Sequence, residues 1–239
     1  MADQDSVVIT GTSGDMGSAL ADSFIADGFR VFGGDVRPAA RRDGLEAVVL
    51  DVTDRDAVFA FAKQAASAGR LAIWVNTAGV FSSAPIGEAS AEEWDRIIAI
   101  NLTGTFNGCA AALEYMQRNA PAGGRIVNIG SLSGQLGGLG PHPAYGASKA
   151  GVHALTKTYA LAGARYGITC NAVAPSIVEG AMRQGFPDAH IDRYLKAIPI
   201  RRLIDMDEVV AGIRYLTSEK AAYTNGIVLP INGGQFMSG

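Results

Sequence analysis

Cysteine is scarce in this sequence, and long apolar runs are absent. Two cysteines, Cys109 and Cys170, stand among aliphatic residues in a chain of 239 residues. That context predicts buried, reduced thiols rather than a disulfide framework. No apolar run approaches the roughly 20 residues that a transmembrane helix needs, and the acidic start MADQDSVVIT lacks the basic and apolar regions of a signal peptide. We therefore expect a cytoplasmic protein that has no membrane partner.

Positive charge is not in excess either. The chain carries 20 Lys and Arg against 23 Asp and Glu, a formal net charge of −3. No basic field favours a nucleic acid partner, and no run of like charges suggests a tail. Pro- or Ser-rich linkers and internal repeats are absent as well. The sequence therefore predicts one domain spanning residues 1–239 that acts on a small molecule rather than on nucleic acid.

Short apolar runs alternate with longer amphipathic stretches. Most runs are continuous Val, Ile and Ala, which favours strands covered on both faces. Strands are predicted at 6–10, 30–34, 47–50, 72–75, 125–129, 168–173 and 227–231. Helices are predicted at 16–27, 54–68, 90–118, 144–166 and 206–219, with Asp54 and Ser90 as N-caps. This alternation predicts an α/β fold, a doubly wound parallel sheet of about seven strands with helices on both faces.

One long stretch, 176–202, shows no regular pattern. It follows a predicted strand and contains Phe186, His190 and Tyr194. Long loops at the carboxyl ends of strands usually carry function. We expect this segment to form a substrate loop.

The stretch TGTSGDMG follows the first predicted strand, where ligands of open α/β sheets bind. Gly11 permits a sharp turn, and Gly17 permits close packing of the next helix on the strand. Backbone amides at the start of that helix offer an anion site. Glycine-rich turns also occur without any ligand, so this motif alone leaves both interpretations open.

An acidic residue at the end of the second predicted strand favours the ligand. Asp35 lies 24 residues after Gly11, where a carboxylate accepts hydrogen bonds from the adenosine ribose of a dinucleotide. The same carboxylate repels the 2′-phosphate of NADP, and Val36 supplies no positive charge. These features favour NAD over NADP. Arg37 is the opposing feature, and we interpret it as a solvated surface charge.

Tyr145 and Lys149 are spaced i, i+4, so they share one face of a predicted helix. A tyrosine has an ordinary pKa of about 10, and a nearby ammonium lowers it. A tyrosine tuned in this way acts as a general acid or base on a hydroxyl or carbonyl group. Ser131, just after a predicted strand, is placed to bind the same oxygen.

These motifs resemble the short-chain dehydrogenase/reductase family, and the resemblance runs from TGTSGDMG to NGIVLPINGG. The other matching stretches are DVT at 51–53, NTAG at 76–79, IAINLTG around Asn101, GSLSG around Ser131, YGASK with Tyr145 and Lys149, and NAVAPS at 171–176. The resemblance implies a Rossmann-type fold and a homotetramer. It also implies a catalytic set: Ser131, Tyr145, Lys149 and Asn101, the last holding a water. The implied cofactor-binding residues are Gly11, Ser13, Asp15, Met16, Gly17, Asp35, Val36, Asp51, Val52, Asn76, Ala78, Gly79, Tyr145, Lys149, Pro175 and Val178.

The function implied is hydride transfer between NAD(H) and a secondary alcohol or ketone. Ser131, Leu132, Leu136, Tyr145, Met182 and Phe186 are expected to contact that substrate, and no metal is expected. The alternatives are a 3-oxoacyl-[acyl-carrier-protein] reductase that uses NADPH and a non-enzymatic dinucleotide sensor. A reductase that docks an acidic carrier protein is expected to have basic surface residues where this chain has Ala122 and Tyr166, although Arg118 and Arg165 lie nearby.

Three residues depart from the family pattern. Asp15 replaces a glycine of the phosphate turn. If its side chain caps the following helix or turns to solvent, cofactor binding is weakened rather than abolished. Ser176 replaces a glycine, and Gly180 replaces a threonine that bonds the nicotinamide carboxamide, so we expect a looser loop there. Backbone groups of Val178 are expected to hold the carboxamide instead.

Overall fold

The structure is a computed structural model that describes residues 5–38, 40–82, 84–119, 121–137, 143–180 and 188–237. These residues form a seven-stranded sheet, all parallel, in the order β3-β2-β1-β4-β5-β6-β7. Its strands are β1 (Ser6–Thr10), β2 (Arg30–Asp35), β3 (Leu45–Val49), β4 (Leu71–Asn76), β5 (Gly124–Ile129), β6 (Ile168–Pro175) and β7 (Val228–Ile231). The predicted α/β class and doubly wound parallel sheet are confirmed.

Helices connect the strands. They are α1 (Asp15–Ala26), α2 (Arg55–Ala68), α3 (Ala91–Ile98), α4 (Gly104–Met116), α5 (Ser133–Leu136), α6 (Pro143–Ala164), α7 (Asp188–Ala197) and α8 (Met206–Thr217). Both predicted N-caps are confirmed: Asp54 accepts from the Ala57 amide at 3.0 Å, and Ser90 from the Glu93 amide at 3.1 Å. No helix of the described residues is both long enough and apolar enough to cross a membrane.

Two apolar cores cover the two faces of the sheet. On one face, α1 and α8 pack against the strands around Phe24 and Ile213. On the other face, α2, α4 and α6 pack around Trp74 and Ile126. Burial on both faces explains the continuous apolar strand sequences, because a strand covered on each side has no solvent-facing positions.

Two elements differ from the sequence expectation. The predicted helix 90–118 is interrupted by a π-helical turn at Ala99–Thr103, which separates α3 from α4. Such turns frequently mark functional sites. Helix α7 lies inside the stretch 176–202 that we expected to be irregular. It belongs to a small separate apolar cluster with Ile177, Ile198 and Leu203, so tertiary packing supports a helix that the sequence pattern did not indicate.

Candidate active site

Two adjoining cavities lie at the carboxyl ends of the strands. The outer cavity, about 540 Å³, has Asp35 and Asp51 in its wall. The inner cavity, about 530 Å³, has Ser131, Tyr145 and Lys149 in its wall. Residues after β1 and β4 line both cavities, among them Gly11, Gly14, Thr77, Gly79 and Val80. The two cavities therefore form one elongated cleft in the place where open α/β sheets bind ligands.

The turn between β1 and α1 is built around two glycines. Gly11 has a φ of +79°, a conformation that favours glycine, and a Cβ atom there would lie 2.7 Å from the backbone nitrogen of Ala78. A Cβ atom at Gly17 would overlap the carbonyl oxygen of Gly11. Met16, in the first turn of α1, lines the inner cavity. The N-terminus of α1 therefore faces the cleft, the arrangement that binds phosphate groups.

Asp15 is the first residue of α1, is exposed, and lines the inner cavity. The N-cap is Gly14, so Asp15 does not cap this helix, because a capping side chain belongs to the residue before the first helical one. Its carboxylate lies beside Gly180, where a Cβ atom would come 2.9 Å from Asp15 Oδ2. An acid in the first turn still interacts favourably with the helix dipole.

Asp35 ends β2, and two backbone amides fix its carboxylate. Oδ2 accepts a hydrogen bond from the Ser13 amide and Oδ1 one from the Arg37 amide, each at 3.0 Å. The Ser13 hydroxyl donates to the Arg37 carbonyl oxygen at 3.0 Å, which ties the turn after β1 to the end of β2. The Arg37 side chain is 71% exposed, with its Nε 3.9 Å from Asp35 Oδ1. Neighbouring Val36 is also exposed.

The rest of the outer wall comes from the turn after β3 and from the end of α3. Asp51 Oδ1 accepts hydrogen bonds from the amide and the hydroxyl of Thr53 at 2.8 Å each, and Val52 is buried beside it. Arg96 and Ala99 line the same cavity and are missing from the sequence prediction. Their i, i+3 spacing on one helix face is the signal that could have found them.

Ser131, Tyr145 and Lys149 meet at the inner end of the cleft. Ser131 follows β5, and the other two lie one turn apart on α6. A hydrogen bond joins the hydroxyls of Ser131 and Tyr145, and Ser131 Oγ also accepts from the Ser133 amide at 3.1 Å. Lys149 Nζ lies 5.7 Å from the centre of the Tyr145 ring and donates to the carbonyl oxygen of Ile129 at 2.8 Å. The structure thus brings the three predicted side chains together.

The electrostatics of Tyr145 differ from the sequence expectation. Burial raises the pKa of Tyr145 above its ordinary value, and the hydrogen bond with Ser131 only partly offsets this. Burial also lowers the pKa of Lys149 to about 8. In this geometry desolvation of the phenolate outweighs the lowering influence of Ser131 on the pKa of Tyr145, and the lowering of that pKa by Lys149 stays a prediction.

Asn101 lies in the π-helical turn and is fully buried. Its Oδ1 accepts from the Val80 amide at 2.8 Å, and its Nδ2 donates to the Val80 carbonyl at 2.9 Å and to Ser148 Oγ at 3.1 Å. The side chain thereby joins the loop after β4 to α6, next to Lys149. A Cβ atom at Gly79 would lie 3.3 Å from Asn101 Oδ1 and 3.6 Å from Lys149 Nζ. The water-holding role of Asn101 stays a prediction.

The segment after β6 closes the inner cavity. Pro175 and Val178 both line it. Val178 pairs with Ile204 in a single bridge, in which Ile204 donates to the carbonyl of Ile177 and accepts from the amide of Glu179. Those bonds use the backbone groups of Ile177 and Glu179, the neighbours of Val178. That Val178 holds the carboxamide stays a prediction.

Ser176 fastens this segment to the end of the chain. Its hydroxyl donates to Gln235 Oε1 at 2.7 Å, and its amide donates to the Ile231 carbonyl at 3.1 Å. The serine therefore holds the start of the loop that we expected to be looser. Gly180 has a φ of +140°, a value that favours glycine.

The predicted substrate contacts are only partly located. Leu132 is buried, Leu136 is 43% exposed, and neither is among the described residues that line the cleft. Met182 and Phe186 lie outside the described residues. Phe81 lines the inner cavity and packs edge-on against Tyr145, with ring centroids 5.1 Å apart.

The cleft fits a nicotinamide dinucleotide. It places a fixed carboxylate, Asp35, at its outer end, a helix N-terminus in the middle and the Ser131–Tyr145–Lys149 cluster at its inner end, the order in which dinucleotide folds hold ribose, pyrophosphate and reacting ring. A side chain at Gly11 would clash with the backbone of Ala78 in the opposite wall of the cleft. The glycine therefore lets the two walls approach closely and leaves the backbone of the turn accessible to a ligand. No group of three or more His, Cys, Asp or Glu side chains in the described part of the chain is arranged to hold a metal ion.

The sequence model of the family described as enoyl-(acyl carrier protein) reductase matches residues 12–235. The chain belongs to the short-chain dehydrogenase/reductase family. It is an oxidoreductase of that family, whose members use nicotinamide dinucleotide cofactors.

Among its relatives, the 3-oxoacyl-[acyl-carrier-protein] reductase FabG of Thermotoga maritima is 35% identical over 240 residues, which cover 95% of this chain and 96% of the relative. The acetoacetyl-CoA reductase of Shinella zoogloeoides is 33% identical, with 96% and 97% covered. The solved structure of the ligand-free aldohexose dehydrogenase of Thermoplasma acidophilum superposes with a TM-score of 0.86 at 29% identity, and the match covers 97% of this chain and 94% of that chain.

One predicted cofactor residue of the family motif does not face the cleft. Asn76 is buried under the sheet, where its Oδ1 accepts from Trp74 Nε1 at 2.7 Å and its Nδ2 donates to Asn128 Oδ1 at 2.8 Å. Asn128 in turn donates to Thr156 Oγ1 at 3.0 Å. The side-chain amide of Asn76 therefore joins β4, β5 and α6 inside the core, and cofactor binding by Asn76 stays a prediction. Ala78, two residues later, lines the outer cavity.

Proposed function

We propose that this oxidoreductase transfers hydride between NAD(H) and a secondary alcohol or ketone. The observation that carries the proposal is the Ser131–Tyr145–Lys149 cluster at the inner end of a cleft whose outer end holds Asp35. The apolar face of Phe81 beside Tyr145 favours a neutral, partly apolar substrate. The substrate loop 176–202, including Met182 and Phe186, is part of the same proposal.

When bound, the dinucleotide supplies or accepts the hydride. In the reducing direction, the Tyr145 hydroxyl donates a proton to the substrate oxygen, so that a carbonyl becomes an alcohol. In the oxidising direction it takes that proton back. The Ser131 hydroxyl, already bonded to Tyr145, stabilises negative charge that develops on the same oxygen. Lys149 holds a positive charge near the Tyr145 ring and would bind the nicotinamide ribose.

The preference for NAD rests on the charge at the end of β2. Asp35 is fixed by two backbone amides and has no side-chain partner closer than Arg37 at 3.9 Å in the described part of the chain. A carboxylate in that position bonds ribose hydroxyls and repels a 2′-phosphate. The exposed guanidinium of Arg37 also borders the outer cavity, so the preference for NAD requires that it does not bind a 2′-phosphate.

A second candidate is reduction of a 3-oxoacyl thioester with NADPH. The relatives favour it, since FabG and the acetoacetyl-CoA reductase match nearly the whole chain. The surface is less favourable to an acidic carrier protein. Arg118 is paired with Glu114, the Arg165 guanidinium stacks on Tyr166, and Ala122 carries no charge.

A third candidate is a non-enzymatic dinucleotide sensor with the same fold. Such a protein has no need of the Ser131–Tyr145–Lys149 cluster. This chain retains the cluster, together with the hydrogen bonds of Tyr145 and Lys149. The sensor reading requires dinucleotide binding without turnover, so a single substrate panel separates it from the other two.

The proposal includes a homotetramer and a cytoplasmic location. Leu161 on α6 is 82% exposed and Phe106 on α4 is 40% exposed, and apolar side chains of this kind suit helix pairing between subunits. Cys109 and Cys170 are free, buried thiols, the state expected in a reducing compartment.

The test is a fluorescence titration of the purified protein with NADH and with NADPH, followed by turnover assays. The panel contains simple secondary alcohols, ketones and acetoacetyl-CoA. Tighter NADH binding with turnover of a simple alcohol or ketone supports the first candidate. Tighter NADPH binding with turnover restricted to acetoacetyl-CoA supports the second, and binding without any turnover supports the sensor.

A further inference from the structure

His153 is a buried polar residue on α6, one turn beyond Lys149, that the reaction scheme does not use. Its Nε2 accepts a hydrogen bond from the backbone amide of Ser131 at 3.4 Å. The imidazole therefore contacts the main chain of the residue whose hydroxyl bonds Tyr145.

The alternation of backbone amides explains why Ser131 needs this partner. The amide of Gly130 donates to the Val173 carbonyl at 2.8 Å, and the amide of Leu132 donates to the Pro175 carbonyl at 3.0 Å. Both bonds run to β6. The amide between them points away from β6 toward α6, as successive amides along an extended chain do. Without an acceptor on α6, it would be a buried donor with no partner, which native proteins rarely contain.

Two glycines make room for the imidazole. A Cβ atom at Gly130 would overlap His153 Nε2, and one at Gly134 would lie 2.7 Å from His153 Cε1. These glycines flank the serine in the stretch GSLSG. The ring is therefore enclosed by the segment that carries Ser131, so its position and that of the serine are linked.

The charge state of the ring suits an acceptor. Burial, together with the smaller effect of the positive charges of Lys149 and Lys157, lowers the pKa of His153 to about 4. A neutral imidazole whose Nδ1 carries the proton leaves a lone pair on Nε2. That is the tautomer required to accept from Ser131.

We propose that His153 is a positioning residue that fixes the Ser131 main chain and thereby aims the Ser131 hydroxyl at the substrate oxygen. The catalytic consequence of this inference rests on the proposed function. The contact between His153 and the Ser131 amide does not depend on it. An apolar residue at 153 would leave the Ser131 amide without an acceptor and let the segment 130–134 shift. Displacements of about 1 Å in positioning groups cost up to about a hundredfold in rate.

The test compares His153→Leu with His153→Gln, whose side-chain oxygen can accept from the same amide. His153→Leu should lower kcat about tenfold to a hundredfold, with the Kd for NADH or NADPH within about threefold of wild type. His153→Gln should restore most of the loss. Thr156→Val is the matched control, because it removes a different buried polar contact of α6, the one with Asn128, and should leave kcat within about twofold.

Amide hydrogen exchange followed by mass spectrometry supplies a readout that does not need activity. Peptides covering 128–136 should exchange faster in His153→Leu than in wild type, His153→Gln or Thr156→Val. Unchanged exchange in His153→Leu, or equal kcat losses in His153→Leu and Thr156→Val, would overturn the proposal. If the wild-type protein turns over no substrate, the proposed function fails, whereas the exchange result still decides whether His153 holds Ser131.

Discussion

The carboxylate of Asp15 lies against the backbone of Gly180, and a Cβ atom at position 180 would come 2.9 Å from Asp15 Oδ2. The two residues are far apart in the chain, yet both depart from the family pattern, and both line the inner cavity. An acid in the phosphate turn and a glycine in the opposite wall are therefore sterically matched.

This contact predicts that the effects of substitutions at positions 15 and 180 on the free energy of unfolding are not additive. Gly180→Ala should be more destabilising in the wild type than in an Asp15→Gly background, by about 1 kcal/mol in the free energy of unfolding. The backbone strain of an alanine at a φ of +140° is the same in both backgrounds. It therefore cancels when the two destabilisations are subtracted in the double-mutant cycle. Denaturant unfolding of the four proteins measures the coupling, and additive effects would show that the contact is not made in solution.

Asp15 should also weaken dinucleotide binding. Asp15→Asn removes the negative charge from the phosphate turn and should tighten NADH binding by a few fold at low ionic strength, with a smaller gain at high salt. Asp54→Asn is a suitable control, because Asp54 caps α2 and does not line the cleft. An equal gain in both variants would indicate a general charge effect rather than a local one.

Asp35 should determine the choice of dinucleotide. Asp35→Ser removes the carboxylate that faces the outer cavity and should raise the ratio of NADPH to NADH affinity by about tenfold or more, because like-charge repulsion ends and Arg37 loses its neighbour. Fluorescence titration with each dinucleotide measures this ratio. An unchanged ratio would mean that the 2′ position does not lie beside Asp35.

Stability should depend on His153 in mildly acidic solution. The folded pKa of about 4 lies below the ordinary value of 6.5, so between these values the unfolded chain binds a proton that the folded chain does not. Stability therefore falls as the pH drops from about 6.5 toward 4. Thermal unfolding across this range should show a shallower fall for His153→Gln than for wild type, and parallel curves would contradict the depressed pKa.

Much of the fold follows from local patterns. Continuous apolar runs indicate β1, β2, β4, β5 and β6 to within a residue or two, because strands buried on both faces leave a clear signal. The π-helical turn at Ala99–Thr103 leaves no such signal, since its side chains continue the helical pattern on either side. Helix α7 depends on packing with Ile177 and Leu203, which a local pattern does not contain.

Some residues of the candidate site can likewise be predicted from local sequence, whereas others are apparent only in the folded structure. Tyr145 and Lys149 are found from spacing on one helix, and Asp35 from its place at a strand end. The resemblance assigns Asn76 to the cofactor, but only its neighbours Trp74 and Asn128 show that its amide serves the core. The Asp15–Gly180 contact and the His153–Ser131 bond join distant segments, so they emerge only from the folded chain.

The central claim is that Tyr145 transfers the proton in an oxidoreductase reaction, and Tyr145→Phe tests it most directly. The variant keeps the ring that packs on Phe81 and loses only the hydroxyl. The measurement is kcat with the best dinucleotide and substrate of the panel, together with the dinucleotide Kd. We predict a fall in kcat of about 10²- to 10⁴-fold with the Kd within about threefold. Turnover close to that of the wild type would contradict the assignment of Tyr145 and the mechanism built on it.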